Sequence, residues 1–199
     1  MRRLAPLALA LTVVAALPAA ALGSPLSAQA LPCKFAPKGD WTFCPKANLS
    51  GRDLTGKDFG GAYLRGANFS GAKLVGVNFY NANLTLTNFT NANASGGDFF
   101  NANLTGAALG GANLSGANLA GVSLGGTNFT SANLAGATLE AAELPGANLT
   151  GADLTDANLS GANLTRANLT GAKLTGAKLV RAKFKSTTCP SGKVTSTHC

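Results

Sequence analysis

Every fifth residue from Leu49 to Phe184 is Leu or Phe, and Ala94 is the one exception among these 28 positions. Counted from this centre, i, Ala is common at i−2, Asn or Asp at i−1 and Gly at i+2. A period of five matches neither the 3.6 residues of a helical turn nor the two of a strand. Repeated Gly also disfavours a helix, by about 1 kcal/mol each. The pattern predicts short strands separated by turns and stacked as a solenoid.

A block such as Ala112-Asn113-Leu114-Ser115-Gly116 resembles the A-(N/D)-L-x-x motif of the pentapeptide repeat family. The resemblance covers residues 47–186, which are 140 of the 199 residues. It implies a single all-β domain, a right-handed quadrilateral parallel β-helix with four blocks per coil and with i and i−2 pointing inward. The 28 blocks then make about seven coils of 20 residues. At roughly 4.8 Å per coil, the rod would be about 34 Å long.

In such a helix, residues 20 positions apart stack on one another. This rule predicts two buried aromatic ladders on opposite faces, with neighbouring Phe side chains filling the volume that Ala94 lacks. One ladder contains Phe59, Phe79 and Phe99, and the other contains Phe69 and Phe89.

The first thirty residues are typical of a secretory signal peptide. Met1-Arg2-Arg3 is basic, residues 4–22 are apolar, and Ala28-Gln29-Ala30 forms an A-x-A cleavage pattern. A retained membrane anchor is the alternative, because about 18 apolar residues can span a bilayer. Prolines in the segment favour cleavage, which we predict after Ala30. The mature chain would then carry 14 basic residues (16 − 2) against 8 acids, a net charge of +6, and be secreted or associated with the cell envelope.

Atypical segments flank the repeat and are expected to cover the apolar ends of the solenoid. We assign residues 31–46 to an N-terminal cap and residues 187–199 to a C-terminal cap. An aromatic ligand site around Trp41 is the alternative role for the first cap.

Four cysteines allow three pairings, and two of them fail if the caps of the implied rod lie about 34 Å apart, since bonded Cα atoms lie within roughly 7 Å. The expected disulfides are therefore Cys33–Cys44 and Cys189–Cys199, which require an oxidising compartment.

The chain offers little chemistry. His198 is the single histidine, and the eight acids form no obvious catalytic pair. No strand–loop–helix motif with a lysine follows the Gly-rich blocks, as a phosphate loop would require. We predict a protein without catalytic activity, cofactor, metal or small-molecule substrate. The 20-residue stacking rule also predicts two surface ion pairs, Asp53–Lys73 and Asp153–Lys173.

Three surface features remain once the scaffold is subtracted. Tyr80 and Phe100, with Leu86 nearby, form a possible binding patch, although sequence drift on a tolerant scaffold explains them equally well.

A basic belt at the last coil is a possible polyanion contact, with a solubilising rim as the alternative. It contains Arg166, Lys173, Lys178, Arg181, Lys183 and Lys185. An outward Ser/Thr ladder beside a row of Asn is a possible ice or glycan face, although the motif's own preferences also explain it. Its hydroxyl residues are Ser50, Ser70, Thr90, Thr130, Thr150 and Thr170.

The resemblance also implies one function to weigh. Some family members are cytoplasmic, mimic the shape and negative charge of DNA, and bind topoisomerases such as gyrase. Export and a basic chain disfavour that function here. Our prediction is a secreted, monomeric, non-catalytic structural scaffold that binds a protein or a cell-surface polyanion and does not engage nucleic acid in vivo. The gyrase-binding and the ice- or glycan-binding functions are the alternatives.

Overall fold

The computed structural model describes residues 43–199. The predictions for the signal peptide, for cleavage after Ala30, for Trp41 and for Cys33 lie outside the described residues. Within residues 43–199, no helix has the length and apolar character needed to cross a bilayer.

Parallel pairing with a spacing of 20 residues builds the whole rod. Every i−1 residue from Phe43 to Asn168 forms a β-bridge with the residue 20 positions later. At one representative bridge, the Leu114 N–H donates to the Asn133 carbonyl at 2.7 Å and the Asn133 N–H donates to the Ala112 carbonyl at 2.9 Å. Four blocks therefore complete one coil, and the chain folds as a right-handed quadrilateral β-helix, as predicted.

Extended segments longer than a single bridge occur in the described residues only at the C-terminus. Strand β1, Thr187–Thr188, pairs antiparallel with strand β2, Val194–Thr195. Elsewhere each face of the coil is too short for a regular strand, because a turn follows every bridge. At these corners the i+2 residue adopts a left-handed conformation, as at Gly111 with φ 66°. This conformation explains the preference for Gly at i+2, since an L-residue with a Cβ is strained there.

The core consists of the centres and the i−2 residues, which are almost all buried. The two predicted aromatic ladders are confirmed: successive ring centroids lie 5.3 and 5.2 Å apart in the first ladder and 4.8 Å apart in the second. The ladders also contact each other edge to face, as Phe69 and Phe79 do at 5.5 Å. Stacked and edge-to-face rings are both favourable geometries, so the aromatic half of the core is well packed.

Gly97 replaces the usual Ala at i−2 beside the small centre Ala94. A Cβ at Gly97 would lie 2.9 Å from Cε2 of Phe99 and 3.2 Å from Cγ1 of Val77. The Phe99 ring therefore occupies the space that an alanine side chain would take. Two departures from the motif, Ala94 and Gly97, thus lie next to Phe99, whose side chain is larger than the Leu found at most centres.

The repeat extends one block beyond each predicted boundary. Cys44 and Cys189 occupy centre positions and are 4% and 7% exposed. The bridges Phe43–Tyr63 and Asn168–Thr188 place both blocks in the coil. The boundaries at 46/47 and 186/187 are therefore too narrow by one block. The physical reason is that a cysteine side chain is small and apolar enough to occupy a centre position in the core. The sequence pattern recognises only Leu and Phe at that position.

Candidate binding surfaces

The Asn and Asp row at i−1 has a structural role throughout the described repeat. In every block with Asn or Asp at this position, the side-chain Oδ1 accepts a hydrogen bond from the backbone N–H of residue i+1. Asn68 accepts from Ser70 in this way at 3.0 Å, and Asn168 accepts from Thr170 at 3.0 Å. The bond satisfies an N–H group that the coil leaves unpaired, and it needs an acceptor two residues before the turn. The preference for Asn and Asp in this row is therefore explained by hydrogen bonding to the backbone.

The Ser/Thr ladder is largely engaged within its own blocks. The hydroxyls of Thr130, Thr150 and Thr170 each donate to the Asn Oδ1 two residues earlier at 2.6 Å. The Ser50 hydroxyl donates in the same way at 2.8 Å. Since these hydroxyl hydrogens already have acceptors, the ladder has fewer donors to offer than its sequence indicates. An ice- or glycan-binding role for this face stays a prediction.

The predicted aromatic pair stacks on the outer surface. The Tyr80 and Phe100 rings lie 5.7 Å apart and nearly parallel, at 7°. Tyr80 is 44% exposed and Leu86 is 55% exposed. Leu86 has a left-handed φ of 57° at an i+2 corner. Its presence there instead of Gly costs strain of about 1 kcal/mol.

A second exposed aromatic pair was missed by the sequence reasoning. Phe43 stacks on Tyr63 at 5.0 Å and 7°, and Phe43 is 65% exposed. Both residues occupy the i−1 row and lie 20 positions apart. The stacking rule would predict this pair if Phe43 belonged to a block, but the sequence interpretation assigns Phe43 to the cap.

Both predicted ion pairs are present. Lys73 Nζ lies 3.2 Å from Asp53 Oδ2, and Lys173 Nζ lies 3.2 Å from Asp153 Oδ2. The pKa of each aspartate falls to about 2, chiefly because the hydroxyl and then the backbone N–H of the Thr two residues later donate to it, and then because of the lysine. These carboxylates are part of the i−1 row and are structural acceptors that also hold a lysine.

The basic belt is distributed around the last coil, over more than one face of the rod. Its six side chains are all exposed. Lys173, Lys178 and Lys183 are the i−1 residues of three successive faces, bridged to the residues 20 positions earlier. Lys173 has the Asp153 carboxylate below it, whereas Asn158 and Asn163 lie below Lys178 and Lys183. Two adjacent faces of the last coil therefore present lysines that no acid in residues 43–199 neutralises.

One shallow groove lies along a corner of the rod. Its volume is about 290 Å³, at the lower end of the range for small-molecule pockets. Its lining is formed by Glu140, Ala141, Ser160, Gly161, Val180 and Arg181. Residues 43–199 contain no group of three His, Cys, Asp or Glu side chains that could hold a metal ion.

Cys189 and Cys199 form a disulfide with their Cα atoms 5.3 Å apart. Cys44 is also disulfide-bonded. Its expected partner, Cys33, lies outside the described residues, so that pairing stays a prediction.

The coil and its surface rows define a β-helical repeat protein built from five-residue blocks. The family model for pentapeptide repeats matches the chain in eight copies, over overlapping segments that run from 46–81 to 147–185. The chain belongs to this family, whose members are generally structural or binding proteins. A comparison with curated proteins finds no match.

Several solved structures are similar to this chain. HetL, a pentapeptide repeat protein involved in heterocyst differentiation regulation in the cyanobacterium Nostoc sp. strain PCC 7120, is 36% identical over 77% of this chain and 74% of its own, with a TM-score of 0.29. A pentapeptide repeat protein from the Arabidopsis thaliana thylakoid lumen is 39% identical over 55% of this chain and 69% of its own, with a TM-score of 0.36. QnrB1, a plasmid-mediated fluoroquinolone resistance protein, is 26% identical over 68% of this chain and 79% of its own, with a TM-score of 0.33.

Proposed function

We propose that the mature chain is an exported, non-catalytic scaffold that binds an anionic partner with its last coil. The observation that carries this proposal is the basic belt, which places six exposed cations at one end of the rod, where Lys178 and Lys183 form no ion pair within residues 43–199. Clustered positive charge raises the local concentration of anionic partners and speeds their association. Most of the other repeat positions are used for core packing and for hydrogen bonds to the backbone.

Export is supported by two independent features. Residues 1–30 have the charge, apolar segment and A-x-A pattern of a signal peptide, and the disulfide at Cys189–Cys199 suits an oxidising compartment. Expression of the full chain in a secreting bacterium, followed by intact-mass analysis of the exported protein, tests this part. We expect a mature N-terminus at Leu31. A chain that stays in the cytoplasm with residues 1–30 attached would contradict export.

Binding is tested on immobilised heparin, a soluble stand-in for an anionic polymer. We expect the double variant Lys178→Glu/Lys183→Glu to elute at clearly lower salt than the wild type, since salt screens exposed charges and the variant reverses two of them. The control is Lys57→Glu/Arg65→Glu, which makes the same change in net charge near the other end of the repeat, where both side chains are also exposed. Equal elution of the two variants would show that net charge alone acts, and would remove the last coil as a site.

A further inference from the structure

The last coil ends in an open backbone edge. In the coil below, the N–H groups of Leu154 and Leu159 donate to the carbonyls of Lys173 and Lys178 at 2.9 and 2.8 Å. The equivalent N–H groups of the last coil have no acceptor within residues 43–199, because residues 187–199 lead into the β1–β2 hairpin and do not form a coil above these faces. They belong to Leu174, Gly176, Leu179, Arg181 and Phe184.

Carbonyl groups alternate with these donors along the same edge. The carbonyls of Ala152, Ala157 and Ala162 accept from the backbone N–H groups of the three belt lysines at 2.9, 2.9 and 2.8 Å. One coil higher, the i−2 carbonyls of Ala177 and Ala182 receive no such bond from the described residues. The edge therefore offers both donors and acceptors, in the order that a parallel strand needs.

The C-terminal tail covers only part of this end. Strand β2 pairs with Thr187–Thr188, and Phe184 beside them is buried. Leu174 and Leu179, on the two other faces, are only partly buried, whereas every centre from Leu49 to Leu169 is fully covered. Hence an apolar strip lies directly inside the open backbone edge.

We propose that this open edge binds an acidic, partly apolar segment of a partner protein as an added strand. The inference rests on the proposed function, in which the last coil binds an anionic partner, and it names the class of that partner. An exposed sheet edge binds extended peptides through main-chain hydrogen bonds, while side-chain pockets supply specificity. Here the open N–H and carbonyl groups would pair with the partner's backbone, and Leu174 and Leu179 would contact its apolar side chains.

The edge favours a peptide over an anionic polymer for a chemical reason. A phosphate or sulfate polymer supplies acceptors for the lysines and for the open N–H groups. Its hydroxyl donors do not follow the spacing of a β-strand, which the carbonyls of Ala177 and Ala182 require, and it has no apolar side chains for the strip beside them. A peptide strand supplies all three.

The acidic character follows from the chain's own stacking rule. Residues that are adjacent in an i−1 row contact each other, and this chain twice places an acid and a lysine in that relation, at Asp53–Lys73 and Asp153–Lys173. A strand added above the last coil would put its own i−1 side chains over Lys178 and Lys183, where carboxylates are complementary. The same lysines repel the last coil of a second copy, since lysines on an edge strand oppose edge-to-edge association.

A peptide built from two acidic blocks, Ala-Asp-Leu-Thr-Gly repeated twice, tests the proposal on the mature protein. Binding is measured by fluorescence anisotropy against a matched peptide with Asn in place of both Asp. We expect the acidic peptide to bind more tightly, and Lys178→Glu/Lys183→Glu to weaken it by about tenfold, the effect of two modest ion pairs. Lys57→Glu/Arg65→Glu should leave its affinity unchanged.

Amide hydrogen exchange separates strand addition from simple charge attraction. The bound acidic peptide should slow exchange at Leu179, Arg181 and Phe184, because a paired N–H is protected and these are the open N–H groups of the two faces that carry Lys178 and Lys183. Binding without this protection would overturn the added strand but leave the proposed function standing. If heparin binds and the peptide does not, the added strand is again overturned and the proposed function again stands. If neither probe binds, both proposals fail. Sedimentation showing that the protein alone stacks end to end would identify a second copy as the occupant and overturn the partner segment.

Discussion

Asn91 lies one coil below Gly111, and its side-chain oxygen fills the space that a Cβ at Gly111 would need. Both residues are i+2 corners with left-handed φ values, 57° and 66°. Asn91 is thus accommodated at its corner because Gly111, at the corner above, has no side chain. Gly116 has almost the same φ, 65°, and no atom lies within 4 Å of its hypothetical Cβ.

These two glycines separate backbone strain from steric conflict. Gly116→Ala should lower the free energy of unfolding by about 1 kcal/mol, the cost of a left-handed alanine. Gly111→Ala carries the same strain and also collides with Asn91, so it should cost at least about 1 kcal/mol more. Guanidinium denaturation measures both. The double variant Asn91→Gly/Gly111→Ala should return to the Gly116→Ala value, and its failure to do so would show that the side-chain conflict is not the cause.

Gly97→Ala restores the motif's usual residue and should nevertheless destabilise the protein. The new Cβ would lie 2.9 Å from Cε2 of Phe99, and overpacking of this kind costs about 1–3 kcal/mol. Thermal unfolding is the measurement. Combining it with Phe99→Leu, which brings in the consensus centre, removes the shortest contact of the new Cβ and should lower the cost of the alanine, while the contact with Val77 at 3.2 Å remains. A stabilising Gly97→Ala single variant would refute the packing of this part of the core.

Asn128→Ala removes an acceptor that two groups use. The backbone N–H of Thr130 donates to its Oδ1 at 3.0 Å and the Thr130 hydroxyl donates at 2.6 Å. We expect a loss of about 1 kcal/mol in unfolding free energy, the usual net value of a hydrogen bond. Asn128→Asp keeps the acceptor and should be nearly neutral. Thr138→Ala is the control, because Thr138 occupies the same row without such a bond in the described residues. Equal losses for Asn128→Ala and Thr138→Ala would argue against the capping role.

The repeat was predictable from sequence because its blocks resemble the pentapeptide motif, and that resemblance implies four blocks per coil. The unbroken period then determines which residues lie 20 positions apart. The Phe ladders, the Tyr80–Phe100 stack and the Lys73 and Lys173 ion pairs all follow from residues 20 positions apart. The ends were harder, since Cys44 and Cys189 face the core without resembling the motif's Leu or Phe. The open edge was also beyond sequence reasoning. The faces that residues 187–199 cover depend on the path of the β1–β2 hairpin, and residue spacing does not determine that path.

The disulfide at the C-terminus should stabilise the tail more than the coil. Cys189 and Cys199 are 10 positions apart, and closing such a loop is worth about 3 kcal/mol. In Cys189→Ala/Cys199→Ala, amide exchange should accelerate at Val194 and Thr195, whose pairing with β1 depends on the closed tail. Amides of the middle coils, such as Leu114, should exchange as in the wild type. Uniform acceleration along the rod would mean that the tail nucleates or holds the entire helix.

Acid should weaken the protein through Asp53 and Asp153. Both have a folded-state pKa of about 2, below the ordinary value of 3.8, chiefly through hydrogen bonds from the following Thr and then from a lysine. A depressed folded pKa contributes stability that is present above the unfolded value and is lost as pH falls through the folded value. The contribution of these two groups should therefore be constant above about pH 5 and disappear between about pH 4 and 2.

Unfolding midpoints measured across this range should fall less steeply in Asp53→Asn/Asp153→Asn than in the wild type. Asp98→Asn provides the comparison, since Asp98 makes the same backbone bond but has Asn118 above it rather than a lysine. If the double variant showed the full acid loss of the wild type, the acid sensitivity would have to arise from other carboxylates.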